Sequence, residues 1–336
     1  MSTALLPMPP YEWFTVAWEQ FCDKISNKRL PHANLLVGPA GIGLAVLAKA
    51  MQQYLLCDAP LEQLACGNCR PCQLNRSETH PDIKYVGLEE GAAQIKVDQI
   101  REISHFVNTS SQYSGVKVVL IEAAEAMNPN AANALLKNLE EPAGDTVFIL
   151  SSTRAAKLLP TIRSRCQIIN LALPSHQNAI DWLDQQNVDD AEMWLNTAGG
   201  APLRAKAMSQ SDYSRFLSLV HGELEGLLIG ASQPLTVAQR WKEPGATLVL
   251  EILINVVENL IRSKMLSTPV VPSLSAIADL WANMDEPILF SLREKLLARQ
   301  ASLRSGSNLN PVNVMEDIVL DWFACGKRIT RQRNVR

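Results

Sequence analysis

Four cysteines lie close together in the sequence with a spacing that suits metal binding. Gaps of eight, two and two residues separate Cys57, Cys66, Cys69 and Cys72. Four thiolates that converge satisfy the tetrahedral coordination of zinc and leave no open position for catalysis. A redox pair, an iron–sulfur cluster and unrelated core thiols are the alternatives, although ferredoxin-type spacing differs from this one. We therefore predict a structural Zn²⁺ ion bound by these thiolates, and His80, which follows them, as an ordinary loop histidine.

A glycine-rich segment follows the first apolar run and has the outline of a phosphate-binding loop. In the working pattern G-x-x-x-x-G-K-[S/T], backbone N–H groups surround the phosphates, the lysine reaches the β and γ phosphates, and the hydroxyl holds magnesium. The loop glycines and the residues at the lysine and hydroxyl positions are Gly38, Gly41, Gly43, Leu44 and Ala45. This segment predicts a degenerate phosphate loop that keeps the shape without the chemistry. A plain glycine-rich turn is the alternative.

A second phosphate-site motif is also incomplete. In nucleotide hydrolases an apolar strand ends in acids that organise magnesium and the attacking water. Here the apolar run Lys117–Ile121 is followed by Glu122 and Ala123, so one carboxylate remains and a methyl group replaces the other. Lys49 stands more than one helical turn too late to replace the missing lysine. Because two motifs are damaged in one chain, we expect no ATP hydrolysis and assign no cofactor-binding residue.

An arginine later in the same half of the chain is also suited to phosphate chemistry. Arg165 stands in a Ser-Arg-Cys sequence just before the apolar run Gln167–Leu171. Its guanidinium is always charged and presents a rigid fork of donors that matches phosphate. A three-residue pattern is a weak signal by itself, and an arginine at the surface or at a strand edge is the alternative.

The elements that position these residues are indicated by apolar runs in the first half of the chain. Five short runs alternate with helical patterns, namely Asn34–Val37, Ile83–Val86, Lys117–Ile121, Thr146–Leu150 and Gln167–Leu171. Strands that alternate with helices favour a parallel sheet covered by helices on both faces. We predict an α/β domain with a five-stranded parallel sheet over residues 1–171, which includes the cysteine module 57–72.

The pattern changes after residue 171, where the strand signals end and helical periodicity takes over. We predict a small helical domain over residues 172–211 and a larger all-α domain over residues 212–336.

The clearest helix signal begins at Asn128, which is suited to cap a helix, as Pro129 is to its first turn. Pro142 stops the helix. Glu140 and Glu141 stand at its C-terminal end, where the helix dipole disfavours anions. We expect these two carboxylates to be solvated, and a contact with a basic neighbour is the less favoured alternative.

The composition limits the class of protein. There are 31 basic and 34 acidic residues in 336, for a net charge of -3, so the chain is not a free-standing DNA-binding protein held by its overall field. Residues 1–10 lack the basic start of a signal peptide. The longest apolar run, residues 246–257, is too short to span a bilayer. Seven cysteines without a secretion signal favour thiols or metal ligands over disulfides. We expect a cytoplasmic protein with no membrane contact.

The order of these features resembles that of a known family. The degenerate phosphate loop, the four cysteines, the segment Asn133–Pro142 (NALLKNLEEP) and the Ser-Arg-Cys pattern are similar to those of bacterial DNA polymerase III clamp-loader subunits, which are AAA+ proteins. Specific motifs carry the resemblance from Pro31 to Leu171, and length and helical character carry it beyond. The resemblance implies an AAA+ α/β domain, a helical lid and a helical collar that joins five subunits.

The resemblance also implies roles for residues and a set of partners. Arg165 would act in trans, as an arginine finger on the γ phosphate held by a neighbouring subunit. Thr153 and Arg204 match the family's two polar sensor positions, the second with altered spacing. The partners would be ATPase subunits of gamma or tau type and a delta-type subunit in a hetero-pentamer. This complex would load a sliding clamp onto primed DNA.

Two other functions are the alternatives. An active AAA+ ATPase of the same machine would need the lysine, hydroxyl and acid that Leu44, Ala45 and Ala123 replace. A zinc-containing nucleic-acid-binding protein without a motor partner would need a basic metal module, but Arg70 is the one basic residue of the cysteine module. Both alternatives are therefore less favoured than a clamp-loader subunit.

Overall fold

The structure is a computed structural model, and it describes residues 9–113, 115–266, 274–282, 286–304 and 310–333. The chain divides into two compact units, residues 1–206 and 207–336. The further division of the helical part into a lid and a collar at residues 211 and 212 stays a prediction.

The first unit is built on a five-stranded sheet. Its strands are β1 (Ala33–Val37), β2 (Ile83–Val86), β3 (Lys117–Ile121), β4 (Thr146–Ser152) and β5 (Gln167–Asn170). All neighbouring strands pair in parallel, in the order β2-β3-β4-β1-β5. The predicted parallel sheet is therefore confirmed. Parallel pairing brings the carboxyl ends of the central strands to one edge, where the phosphate loop and the residues after β3 and β4 meet.

Helices of the first unit cover both faces of the sheet, as predicted. They are α1 (Thr15–Ser26), α2 (Leu44–Leu55), α3 (Arg70–Arg76), α4 (Val97–Val107), α5 (Pro129–Glu140), α6 (Pro160–Arg163), α7 (His176–Gln185) and α8 (Ala191–Thr197), with α9 (Pro202–Ser209) running past residue 206. Successive residues of a strand point to opposite faces. Leu36 accordingly packs in one apolar cluster with Leu47 of α2, and Leu35 in the other with Ile100 of α4 and Leu135 of α5.

Helix α5 begins where the sequence predicts. The side chain of Asn128 accepts a hydrogen bond from the N–H of Ala131 at 2.8 Å, and Pro129 occupies the first turn. Leu135 and Leu139 are buried on the face toward the sheet. This cap and this face fix the direction of α5, and they thereby place Glu140 at its far end.

The described part of the second unit is helical. Its helices are α10 (Tyr213–Ile229), α11 (Pro234–Arg240), α12 (Ala246–Leu266), α13 (Ser275–Trp281), α14 (Glu286–Arg304) and α15 (Pro311–Arg333). Three fully buried tryptophans, Trp241, Trp281 and Trp322, contribute to its core. Among the described residues of the whole chain, no helix is both long enough and apolar enough to cross a membrane.

Candidate functional site

The four cysteines of the module come together in space. Their sulfur atoms all lie within 4.8 Å of one another, and the Sγ atoms of Cys57 and Cys69 are 4.0 Å apart. A tetrahedral zinc ion with Zn–S bonds of about 2.3 Å places its sulfur ligands about 3.8 Å apart, so small side-chain shifts complete the geometry. Cys57 and Cys72 are buried, and Cys66 and Cys69 are half-buried. The set could therefore hold a metal ion such as zinc in a closed, structural site.

Backbone groups of the module already point at the sulfur atoms. The N–H of Cys66 donates to Sγ of Cys57 at 3.2 Å, and the N–H of Cys69 donates to Sγ of Cys66 at 3.3 Å. Hydrogen bonds from the N–H groups of Asn68 and Cys69 lower the pKa of Cys66 to about 6, whereas burial raises the pKa of Cys72. A bound cation offsets such desolvation, because it stabilises the thiolate form directly.

The module is tied to the α/β unit by side chains outside the cysteine pattern. The indole Nε1–H of Trp18, from α1, donates to the carbonyl of Gln63 at 3.2 Å. A guanidinium N–H of Arg76 donates to the carbonyl of Gly67 at 3.2 Å. His80 is buried outside the cluster, and its Nδ1 accepts the N–H of Asp82 at 3.1 Å. The hydrogen bonds of Trp18 and Arg76 are accepted by backbone carbonyls, which every residue has. The sequence pattern therefore does not indicate these contacts.

The degenerate phosphate loop joins β1 to α2. Gly41 and Gly43 have φ angles of 83° and 101°, in the left-handed region that favours glycine, and α2 begins at the next residue, Leu44. The side chain of Leu44 is only 7% exposed and belongs to the apolar core. The position of the phosphate-binding lysine is therefore occupied by a residue that packs inward.

Residues from elsewhere in the first unit pack closely on the loop glycines. The N–H of Leu203 donates to the carbonyl of Gly41 at 3.0 Å. A Cβ atom at Gly41 would lie 2.6 Å from Cβ of Arg204, and one at Gly43 would lie 2.6 Å from the ring of Tyr11. Because Gly41 and Gly43 have no side chains, the start of α9 and Tyr11 can pack closely against the loop. Arg204, which was matched with a sensor position, lies beside this loop.

A cavity of about 280 Å³ adjoins the loop. Its lining consists of Pro39, Ala40, Gly41, Gly43, Leu44, Ala45, Val46, Glu122, Ala123, Ser151, Ser152, Thr153 and Leu203. None of these described residues is basic, and Glu122 is the one acid. Lys49 instead forms an ion pair with Glu78, at 3.1 Å between Nζ and Oε1. The described lining of this cavity thus offers a carboxylate and no basic side chain to an anion.

The residues that follow β3 are Glu122 and Ala123. Ala123 adopts a left-handed conformation with φ 52°, and the hydroxyl of Tyr85 donates to the carboxylate of Glu122. Burial, together with this hydrogen bond, raises the pKa of Tyr85. Thr153, the other residue matched with a sensor, uses its N–H and its hydroxyl to donate to Glu125, at 3.1 and 2.6 Å. Glu122 and Glu125 therefore both accept hydrogen bonds from neighbouring residues.

Arg165 lies between α6 and β5 with its side chain 34% exposed. Its Nη1 donates to the carbonyl of Thr161 at 3.0 Å, and its Nη2 forms an ion pair with the carboxylate of Glu140. The expectation that Glu140 is simply solvated is therefore wrong. The C-terminal end of α5 lies beside Arg165, which supplies the cation that this end of a helix favours. Arg163, two residues earlier, is exposed.

Comparison with known proteins gives a consistent set of relatives. The family model described as "DNA polymerase III, delta subunit" matches residues 14–175. DNA polymerase III subunit delta' of Pseudomonas aeruginosa is 34% identical over 320 residues, which cover 93% of this chain and 97% of the relative. The corresponding subunit of Escherichia coli is 37% identical over 205 residues, 60% of this chain and 61% of the relative.

A solved structure of a DNA polymerase III gamma subunit-related protein from Thermotoga maritima is also similar. It is 18% identical, covers 92% of this chain and 99% of its own, and superposes with a TM-score of 0.46.

Proposed function

This chain belongs to the family of DNA polymerase III delta-prime subunits, and from that premise we propose that it is a non-hydrolysing subunit of the clamp-loader complex. In this role it helps to load the sliding clamp onto primed DNA during replication. Its partners are ATPase subunits of gamma or tau type and a delta-type subunit in a hetero-pentamer, which works in the cytoplasm. The two alternatives to this proposal are an active AAA+ ATPase and a zinc-containing nucleic-acid-binding protein without a motor partner.

The absence of hydrolysis is supported by the state of the phosphate loop. Leu44 is buried where a working loop presents its lysine, and the adjoining cavity contains the carboxylate of Glu122 without a basic residue among its described lining. ATP brings several negative charges that a lysine and magnesium normally neutralise. Ala45 offers no hydroxyl for magnesium, and Ala123 offers no carboxylate for the attacking water. A chain with these residues contributes to hydrolysis through its neighbours.

Arg165 supplies that contribution in our proposal. It lies between the short helix α6 and the edge strand β5, its side chain is 34% exposed, and it forms an ion pair with Glu140 of the same unit. An arginine finger stabilises the charge that develops on the transferred phosphoryl group, and it can be supplied by a neighbouring chain. The chain thus lacks an active site but completes that of the adjacent subunit.

The metal of the cysteine module is zinc in this proposal. Cys57, Cys66, Cys69 and Cys72 supply four thiolates, which complete the tetrahedral shell and leave no site for a substrate. The ion therefore holds the loop between α2 and β2 in one conformation and takes no part in hydrolysis.

The proposal is tested in the assembled complex by replacing Arg165. An arginine finger is worth roughly 10³- to 10⁵-fold at the site that it serves. Arg165→Ala is therefore expected to remove the share of DNA-stimulated ATP turnover that comes from that site. Arg165→Lys is expected to be impaired as well, since a point charge on a flexible stem does not reproduce the planar fork.

Arg163→Ala is the matched control, because Arg163 carries the same charge two residues away. It should keep full turnover, and all three variants should retain assembly and metal content. Equal turnover in Arg165→Ala and Arg163→Ala, with both complexes intact, would overturn the trans role of Arg165.

A further inference from the structure

We infer that Glu140 is a positioning residue for Arg165, which it holds ready for the neighbouring subunit's phosphate. This inference rests on the proposed trans role of Arg165. It concerns a carboxylate that lies on a different element from the arginine, 25 positions earlier in the sequence. The observation that carries it is the ion pair between the two side chains at the surface of the first unit.

The guanidinium of Arg165 is held by two partners on two elements. Nη1 donates to the carbonyl of Thr161 in α6, at 3.0 Å, and Nη2 pairs with Oε1 of Glu140 at the end of α5. Two contacts at different nitrogens fix both the position and the plane of the fork. One contact alone would leave the group free to rotate about it, and a long arginine side chain has many other rotamers to occupy.

The position of Glu140 in its helix is unfavourable without this arginine. Glu140 is the last residue of α5, whose C-terminal end carries a partial negative charge, so a carboxylate there is disfavoured. Glu141, the next residue, is exposed and has the same charge. The contact with Arg165 therefore distinguishes Glu140 from Glu141. The positive charge of the guanidinium offsets both the carboxylate and the partial negative charge of the helix end.

The pair leaves the arginine able to act. A guanidinium has five N–H donors, and the hydrogen bond to Thr161 uses one of them, while Glu140 lies beside the other terminal nitrogen as an ion-pair partner. Both side chains remain partly exposed, at 34% for Arg165 and 48% for Glu140, so a phosphate can approach. Glu140 thus restrains the fork without enclosing it. Because preorganised charge acts on the transition state, its loss should lower kcat and leave the KM for ATP unchanged.

The test compares Glu140→Ala with Glu141→Ala in the complete clamp-loader complex, with DNA-stimulated ATP hydrolysis as the measurement. Misplacement of a reacting group by about 1 Å costs up to roughly 10²-fold. We expect Glu140→Ala to lower the Arg165-dependent part of kcat by about tenfold. Glu140→Gln keeps an oxygen acceptor with little change of shape, and its kcat should lie between those of Glu140→Ala and the unchanged complex. Glu141→Ala should have no effect.

A double variant separates positioning from folding. If Glu140 acts through Arg165, then Glu140→Ala should add no further loss of turnover to Arg165→Ala, with assembly unchanged by size-exclusion chromatography. A further loss in the double variant would overturn the inference, as would equal kcat values for Glu140→Ala and Glu141→Ala. In both cases a loss in Arg165→Ala alone would leave the proposed function standing. Full turnover in Arg165→Ala would overturn the proposed trans role of Arg165, on which this inference rests.

Discussion

At the scale of single residues, Leu44 supports the proposed loss of the phosphate site in two ways. It lacks the cation that the β and γ phosphates require, and it is a residue of α2 that is 7% exposed and belongs to the apolar core. A lysine at this position would have to bury its stem and ammonium group or displace its neighbours. Composition and packing at this position therefore both support the proposal that the chain does not hydrolyse ATP.

The double replacement Leu44→Lys with Ala45→Thr is expected not to create ATP hydrolysis in the isolated chain. Ala123 still leaves the attacking water without a carboxylate, and Glu122 remains bonded to Tyr85. Burial of the new ammonium group should lower the free energy of unfolding by about 2–4 kcal/mol. Phosphate release with magnesium and ATP, and denaturation by urea, measure the two effects.

Leu44→Met is the control for these variants, because it conserves volume and should cost less than about 1.5 kcal/mol. Magnesium-dependent turnover by the doubly replaced chain, lost again on changing Gly43, would contradict the account of the phosphate loop given above.

Single residues also mark where the sequence is a sufficient guide and where it is not. Asn128 was predicted to cap α5 from its type and its place before Pro129, and it does, because capping is a contact between residues three apart. The pair of Glu140 and Arg165 joins two elements, and it forms only because the end of α5 lies beside α6. Side-chain direction at that distance does not follow from a local pattern.

At the scale of elements, the strands were predictable because each is a short run with buried or half-buried apolar residues in a parallel sheet that helices cover on both faces. The packing of other residues against the phosphate loop was not predictable from the sequence. Tyr11 and the start of α9 reach Gly43 and Gly41 from segments far along the chain in either direction. The glycine pattern alone predicts a degenerate phosphate loop. In the folded chain the same glycines also allow the close approach of other residues.

The cysteine module is the element whose order depends most on one group. The segment from Gln53 to Thr79 contains the last residues of α2, the short helix α3 and a few anchors, of which the hydrogen bond from Trp18 to Gln63 is one. Its four thiols bring together residues from both ends of the loop. Since a metal ion that binds only the folded loop adds its binding energy to the stability of that loop, loss of the ion should act locally.

Replacement of Cys69 by serine is therefore expected to remove the bound metal and to loosen residues 53–79 more than the strands. The unchanged chain, purified without added metal, should hold about one zinc ion, measured by elemental analysis. Hydrogen exchange followed by mass spectrometry should show faster exchange in this segment for Cys69→Ser and for the chelated chain.

Cys166→Ser is the matched control, since Cys166 lies outside the cluster, and it should keep the zinc and the protection of the module. Iron in the purified chain, or a chain without metal whose module exchanges as slowly as before, would contradict the zinc assignment.

At the scale of the whole molecule, the charge balance limits what the chain can do alone. It carries 31 basic and 34 acidic residues, and nonspecific binding to DNA depends on basic groups that displace counterions from the phosphates. The cysteine module adds Arg70 as its one basic residue between its first and last cysteine. Contact with primed DNA should accordingly be a property of the assembled complex, in which several chains contribute charge.

The isolated chain is thus expected to bind primed DNA more weakly than about 10⁻⁴ M at physiological salt, the weak end of nonspecific binding. Fluorescence anisotropy of a labelled primer–template at several salt concentrations measures this, and the complete complex with ATP is the positive control. Micromolar binding by the chain alone, weakened steeply by salt, would instead favour a nucleic-acid-binding protein that acts without a motor partner. If the isolated chain binds primed DNA only weakly, as expected, then it contacts DNA only where its partner subunits place it. Its contribution to loading would be to position Arg165 at the neighbouring subunit, rather than to bind the DNA itself.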